Sequence, residues 1–318
     1  MSVRVALCML AMISLGKPYE SVQADDADLR IISPQPWQVI QRIGFDPALR
    51  EMEPENSAAL GFAEVVVSLE LTASPAESEY LEYRLSSSQV EKPENGAWKQ
   101  LAVANSAAPG NSVGTSILVP AGGWYRLEIR RTSKDGTTHQ PDVVERFGVG
   151  EVFLVAGQSY ATNTNDEKQN VTEPAQRVVA FNTATGSWNV ANDPQPAPDG
   201  SDGGSIWPLL GDALVKDLGV PVAFVNVAVG ATSSTRWLPD GDLHKRLCEA
   251  GKRIGRFRAV LWQQGNQTLL KRQRQNSMSQ ISGGSEPELP KPGDLNRCGS
   301  PRSQLIIRRS TMIPKVRR

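Results

Sequence analysis

Hydrophobic and polar positions alternate with a period of two through much of residues 27–150. Val65, Val67, Leu69 and Leu71 are interleaved with Glu64, Val66, Ser68 and Glu70, and Leu81, Tyr83 and Leu85 with Glu82 and Arg84. Successive side chains of a strand point to opposite faces, so this spacing predicts strands with one face buried and the other in water. Tyr125, Leu127 and Ile129 alternate in the same way with Arg126, Glu128 and Arg130, and Lys134-Asp135-Gly136 then supplies a turn with a glycine suited to positive φ. Together these segments predict an antiparallel β-sandwich domain over residues 27–150.

After Gly150 the alternation stops. Residues 152–156, 178–181, 222–229 and 259–262 are continuous apolar runs, the pattern of parallel strands covered on both faces. Helical periods fall between them: Leu209, Leu210, Ala213, Leu214 and Leu218, closed by Gly219 and Pro221, and then Leu243, Leu247 and Ile254. Strands alternating with helices predict βαβ units and a mainly parallel sheet, an α/β domain over residues 151–265. Residues 266–318 contain no Phe, Trp or Tyr, although the chain has 19, and show no sustained period. That basic tail is expected to be disordered or weakly structured.

The 318-residue chain is formally neutral, but unevenly so. Residues 266–318 carry 11 Lys/Arg against 3 Asp/Glu, and the remainder 23 against 31. A basic arm suits an anionic partner; this one lacks the aromatics that stack on bases, and no nucleic-acid partner is expected. At the other end, Ser2-Val3-Arg4, an apolar run over 5–16 and Ser21-Val22-Gln23-Ala24 before Asp25-Asp26 have the plan of a secretory signal peptide over residues 1–24. The run falls short of the ~20 apolar residues of a membrane span. The expectation is a secreted or periplasmic protein with no membrane insertion after cleavage. Only Cys248 and Cys298 follow the leader, and His139 and His244 are the only histidines. Neither a disulfide framework, nor a metal site, nor a cofactor is expected from that inventory, and the pattern carries no sign of an oligomeric state.

Ligands of open parallel sheets collect beyond the carboxyl ends of the strands. Three candidate groups stand at three such ends: Gly157-Gln158-Ser159-Tyr160-Ala161, Gly230-Ala231-Thr232-Ser233 and Gln263-Gln264-Gly265. Ser159 follows a strand and a glycine, where a tight turn can present a nucleophilic hydroxyl. Gly230 can offer a backbone N–H to a developing oxyanion, and the Gln264 carboxamide a second donor beside the N–H of Ser159; each such donor is worth roughly 3 kcal/mol in a transition state. Each group alone also reads as an ordinary turn residue.

The three segments together carry a family resemblance. Gly150-Glu151-Val152-Phe153-Leu154-Val155-Ala156-Gly157-Gln158-Ser159 resembles the first block of the sialate O-acetylesterase and related carbohydrate acetylesterase branch of the SGNH hydrolases, where Gly-Gln-Ser-Asn is usual. Asn226-Val227-Ala228-Val229-Gly230-Ala231-Thr232-Ser233 is similar to the second block, usually with two glycines, and Leu261-Trp262-Gln263-Gln264-Gly265 to the start of the third, usually continued as Glu-Ser-Asp. The resemblance implies a flavodoxin-like SGNH sheet behind the sandwich. It also implies an acetylated carbohydrate as substrate and a serine esterase in which Ser159 is the nucleophile and Ser159 N–H, Gly230 N–H and Gln264 form the oxyanion hole. Tyr160 and Ala231 depart from the family pattern at the pocket floor and at the approach to the ester. The long polar loops 163–173 and 193–205 are where sugar specificity is expected, with Trp188 and Trp207 as candidate stacking faces.

The same resemblance places a catalytic Asp and His close together near the C-terminus, yet no His follows His244. A serine hydroxyl needs an adjacent base to react near neutral pH, so impaired activity is expected. His244 reads as an exposed helix residue beside Lys245 and Arg246, and His139 as a residue following a sandwich turn. Gly265-Asn266-Gln267-Thr268 is what codons for Gly-Glu-Ser-Asp yield when one nucleotide is dropped, so the family pattern is expected to be truncated or frameshifted after Gly265. The alternative to an esterase is a non-catalytic secreted carbohydrate-binding protein that uses the sandwich and a dead cleft.

Overall fold

The computed structural model describes residues 29–264, apart from 54, 73–77, 88–95 and 103–111, together with the backbone of 304–307. The expected signal peptide and nearly all of the basic tail lie outside the described residues. Along the chain run β1 (Leu29–Ser33), β2 (Val39–Gln41), α1 (Pro47–Met52), β3 (Phe62–Leu71), β4 (Glu79–Ser87), β5 (Trp98–Gln100), β6 (Ser112–Pro120), β7 (Gly122–Ser133) and β8 (Asp142–Gly157). They are followed by β9 (Val178–Asn182), β10 (Ser187–Val190), α2 (Trp207–Leu218), β11 (Val222–Asn226), α3 (Asp242–Ile254), β12 (Ala259–Gln263) and β13 (Gln304–Ile307).

The alternating segments form two antiparallel sheets around one core. In the first, β3 lies between β1 and β6; in the second, β4 pairs with β5 and β7, and β7 with β8. Val65, Val67 and Leu69 of β3 meet Leu81, Leu127, Ile129 and Phe147 of the opposite sheet in a single buried cluster. Each such side chain removed from water contributes about 1.5–3 kcal/mol, which fixes the register of β3, since a one-residue slip would expose all of them. The outward face of β7 differs from expectation, because Glu128 is buried rather than solvated. Its carboxylate accepts from Arg84 Nε at 2.5 Å and pairs with Arg126 at 2.6 Å. Arg84 and Arg130 in turn lie over the Trp98 ring, 4.7 and 3.9 Å from its centroid, so cation–π contacts and ion pairs roof a face that alternation alone assigns to water.

β8 joins the two regions as one strand. Up to Val149 it pairs antiparallel with β7, and from Glu151 onward it pairs in parallel with β11 on one side and β12 on the other. β11 also pairs in parallel with β9, which carries β10 antiparallel at its outer edge, and β12 pairs in parallel with the β13 backbone. The apolar runs at 152–156, 178–181 and 222–225 are buried throughout. Helix α2 seats itself on β9 through a glycine: a Cβ at Gly211 would meet Val178 Cγ1 at 2.2 Å. Its buried residues are Trp207, Pro208, Gly211 and Val215, while Leu209 is exposed, so the inner stripe lies to one side of the stripe expected from its leucines.

Where the two regions meet, Glu151 is almost fully buried among cations. It accepts from Arg42 Nε at 2.8 Å, from Arg258 Nε and Nη2 at 2.7 and 2.9 Å, and from Gln41 Nε2 at 2.9 Å. Burial pushes the Glu151 carboxyl up, but the Arg258 hydrogen bonds and the Arg42 charge outweigh it and hold the group below its ordinary value of 4.5. The cluster ties β2, β8 and the residue preceding β12 to one point.

Candidate active site

The carboxyl ends of β8, β11 and β12 meet in register. Gly157 stands opposite Gln263, Gln158 N donates to Gln263 O at 2.8 Å, and Val229 N donates to Gly157 O at 3.1 Å. Ser159, Gly230 and Gln264 are therefore each the next residue after one of these bonded positions, at one end of the sheet. Gly157 makes the close approach possible: its φ is +116°, and a Cβ there would lie 1.8 Å from Gln263 O. Ser159 itself has φ +44°, a left-handed conformation that costs a non-glycine residue about 1–2 kcal/mol. It opens a single 3-10 turn, Ser159–Ala161, with its side chain half-buried and Tyr160 exposed beside it.

Surrounding polar groups hold this turn. Thr162 N and Oγ1 both donate to Ser159 O, at 2.7 and 2.8 Å. Asn226 Nδ2 and Trp207 Nε1 both donate to Ala161 O, at 2.8 and 3.1 Å, and Asn226 Oδ1 accepts from Ala228 N at 2.9 Å. One side chain thereby shapes both the serine turn and the strand end leading to Gly230.

Two of the three expected oxyanion donors already have acceptors. Gly230 N donates to Asp199 Oδ2 at 2.8 Å, and Gln264 Nε2 donates to the carbonyl of Thr232 at 2.9 Å. The N–H of Ser159 has no acceptor among the described residues. Gln158, Gln263 and Gln264 each bury a carboxamide oxygen that has no hydrogen-bond partner among the described residues. Three orphaned acceptors within so few residues are unusual, since each costs about 1–3 kcal/mol if left unpaired. Donors arriving at this end of the sheet would find acceptors waiting.

The loop 193–205 overhangs the serine turn and is built on side chains that sequence reasoning did not single out. Asn163 is buried; its Nδ2 donates to the carbonyls of Gln195 and Ser201 at 2.8 and 2.9 Å, and its Oδ1 accepts from Gln195 N at 2.8 Å. The Asp193 carboxylate accepts from Ser205 N and Oγ and from Gln169 N, at 2.7, 2.6 and 3.0 Å. The available signal was compositional: Asn and Asp recur in the first loop and Asp, Ser, Gly and Pro make up most of the second, residue types that form and cap backbone turns.

The candidate stacking faces and the histidines fall elsewhere. Trp188 is buried against Phe181, ring centroids 4.8 Å apart, and Trp207 against Phe224 at 5.4 Å, so both tryptophans are core residues. His244 is buried on α3, not exposed as its charged neighbours suggested, because α3 turns it inward with Leu243 and Leu247. Its ring lies 3.8 Å from Cys248 Sγ, and Cys248 is disulfide-bonded. His139 belongs to the sandwich, with Nε2 3.8 Å from Glu79. No group of three or more His, Cys, Asp or Glu able to hold a metal occurs among the described residues.

Comparison with known proteins bears on the same strands. Among solved structures, a carbohydrate acetylesterase from Xanthomonas citri aligns at 16% identity with a TM-score of 0.37, covering 73% of this chain and 50% of that one. The chain thus spans about half the length of that protein. A protein from Arabidopsis thaliana aligns at 15% identity with a TM-score of 0.32, covering 49% of this chain and 83% of its own. No curated protein matches significantly. Residues 149–280 match the family model described as "Carbohydrate esterase, sialic acid-specific acetylesterase", a span that holds Ser159, Gly230 and Gln264. Over those residues the chain is similar to that carbohydrate esterase family.

Proposed function

We propose that the chain is a serine carbohydrate esterase of the SGNH type that removes O-acetyl groups, with Ser159 as nucleophile and the N–H groups of Ser159 and Gly230 and the carboxamide of Gln264 as oxyanion donors. The observation that carries this reading is the register of Gly157, Val229 and Gln263, which puts the three segments at one end of the sheet. The left-handed Ser159, held by Thr162 and Asn226, has the strained strand-to-helix geometry of an exposed nucleophile. Attack by Oγ on the acetyl carbonyl would form a tetrahedral oxyanion toward these donors. Expulsion of the sugar hydroxyl would leave an acetyl-serine for water to cleave.

Proton transfer is the weak step in this chain. Neither histidine serves: His244 is packed against Cys248 and His139 lies in the sandwich. Ser159 is therefore a poor nucleophile here. The buried carboxamide oxygens of Gln158, Gln263 and Gln264, without partners among the described residues, leave acceptors open to a donor-bearing segment that an alternative reading frame after Gly265 would supply. The secreted location implied by the first 24 residues completes the proposal.

The test is p-nitrophenyl acetate turnover by this chain and by a version carrying the other frame from residue 266. The restored version is expected to gain activity by at least about two orders of magnitude, the usual contribution of a general base, and Ser159→Ala should abolish the gain. Silence from both versions, with retained binding of acetylated sugars, would favour the second reading, a non-catalytic carbohydrate-binding protein. The acceptor-occupied state of Gly230 and Gln264 speaks for that alternative.

A further inference from the structure

We infer that Asp199 is an internal competitor for the acyl site: its carboxylate occupies the Gly230 N–H that the carbonyl oxygen of an acetyl ester, or the carboxylate of product acetate, would need. The inference rests on the reading of Gly230 as an oxyanion donor. Asp199 Oδ2 accepts from Gly230 N at 2.8 Å, while Oδ1 accepts from Ser201 Oγ and N at 2.7 and 3.1 Å. The position is within reach of the serine turn: a Cβ on Gly230 would lie 3.2 Å from Asp199 Oδ2 and 4.0 Å from Thr162 Oγ1, and Thr162 Oγ1 donates to Ser159 O.

Structure alone does not require this contact. The bond between Gly230 and Asp199 is exposed, so water could satisfy the amide without penalty. The loop that carries Asp199 is anchored independently of Gly230, through Asn163 at Gln195 and Ser201 and through Asp193 at Ser205 and Gln169. A well-built loop therefore delivers a carboxylate to the donor. An oxyanion and a carboxylate cannot share one N–H, and their like charges repel. Rotation of the Asp199 side chain, with the loop left in place, frees the amide. The ligand class selected at this point is a small carboxylate, the chemistry that Asp199 itself displays and that ester hydrolysis produces as acetate.

The experiment follows the Gly230 amide directly in the full chain labelled with 15N-glycine, its resonance assigned by its disappearance in Gly230→Ala. Sodium acetate is titrated against sodium chloride at equal ionic strength. In Asp199→Ala the Gly230 resonance should respond with an acetate dissociation constant about tenfold lower than in the unaltered chain, the size expected for removing one charged competitor. Asp199→Asn should fall between the two. If Asp199→Ala shifts the Gly203 and Gly204 amides before acetate is added, the loop has moved, and Asp199→Asn decides by the same criterion. Equal acetate constants in all three proteins, or no acetate response at Gly230 in any, overturn the inference. The titration is repeated in Ser159→Ala, where the response should persist, so failure of the catalytic reading in the turnover assay is separable from failure here.

Discussion

The two halves of β8 solve different problems with one stretch of backbone. Up to Val149 the strand is one member of an antiparallel pair whose outward side is roofed by arginine and glutamate, Arg126 pairing with both Glu128 and Glu145. From Glu151 to Gly157 every residue is buried, and parallel neighbours flank the strand on both sides. The first half adds side-chain pairs on its outward face to the buried contacts of Val144, Phe147 and Val149; the second, beyond the ion-paired Glu151, is apolar on both faces and leaves its remaining polar chemistry to the strand end. The contrast teaches why Ser159 is where it is. A strand clamped on both sides by packing can hold a left-handed serine at its tip, and a strand packed on one face, whose other face rests partly on exposed pairs such as Arg126 with Glu145, would be a looser support, since exposed pairs contribute only about 0–1 kcal/mol each.

The largest expected effect comes from cutting the two halves apart at Glu151. Glu151→Gln leaves Arg42 fully buried without its counter-charge, and breaking such a pair costs about 3–5 kcal/mol. Denaturant unfolding monitored by tryptophan fluorescence should show this loss, and a second transition if the halves then melt separately. The pH dependence has a definite sign. Glu151 has its folded value below the ordinary 4.5, so its contribution is complete above that ordinary value and is lost as pH falls through the folded value. Acid unfolding of the variant should be correspondingly flatter across that window. An unchanged acid limb would mean that Glu151 does not couple the halves.

A smaller and more local effect is expected at the strand tip. Gly157→Ala places a methyl 1.8 Å from Gln263 O at φ +116°, forcing β12 away from β8. Overpacking and left-handed strain together cost on the order of 3 kcal/mol. The matching change in the other half, Val144→Ala, removes two methyls from the sandwich core and should leave the Gly230 amide unshifted. If Gly157→Ala leaves that amide unshifted as well, the tip is not the rigid support described above.

The difference between the halves also explains what was legible beforehand. Val65, Val67, Leu69 and Leu71 announced β3 because burial on one face imposes a period of two, and they are buried as the pattern requires. The position of Ser159, Gly230 and Gln264 at one sheet end was legible because each follows an apolar run that can only be a buried element. The burial of Glu151 was not legible, since it depends on Arg42 and Arg258, both distant in sequence, and that of Glu128 depends in part on Arg84 of a different strand. His244 was misread because a helix with charged neighbours shows its inward stripe only once its packing partners are known. Asp199 and Asn163 were hidden for a further reason: a hydrogen bond between loop residues 31 or 38 positions apart in the sequence leaves no periodic trace.

The smallest effect tests whether the overhanging loop belongs to the rigid half at all. Asn163→Ala removes three hydrogen bonds, those to Gln195 O, Ser201 O and from Gln195 N. Two of them are buried, so the variant strands the Gln195 amide group at both its carbonyl side and its N–H side, at a cost of about 2 kcal/mol. The loss should stay local, because Asp193 still holds Ser205 and Gln169. Amide exchange should therefore accelerate at Gln195 and at Gly203, whose N–H donates to Asn163 O, while Val155 and Phe224 in the sheet interior keep their protection. Faster exchange in the sheet as well would make the loop part of the same cooperative unit as β8, and Asp199 would then be fixed by the sheet and not by its own loop.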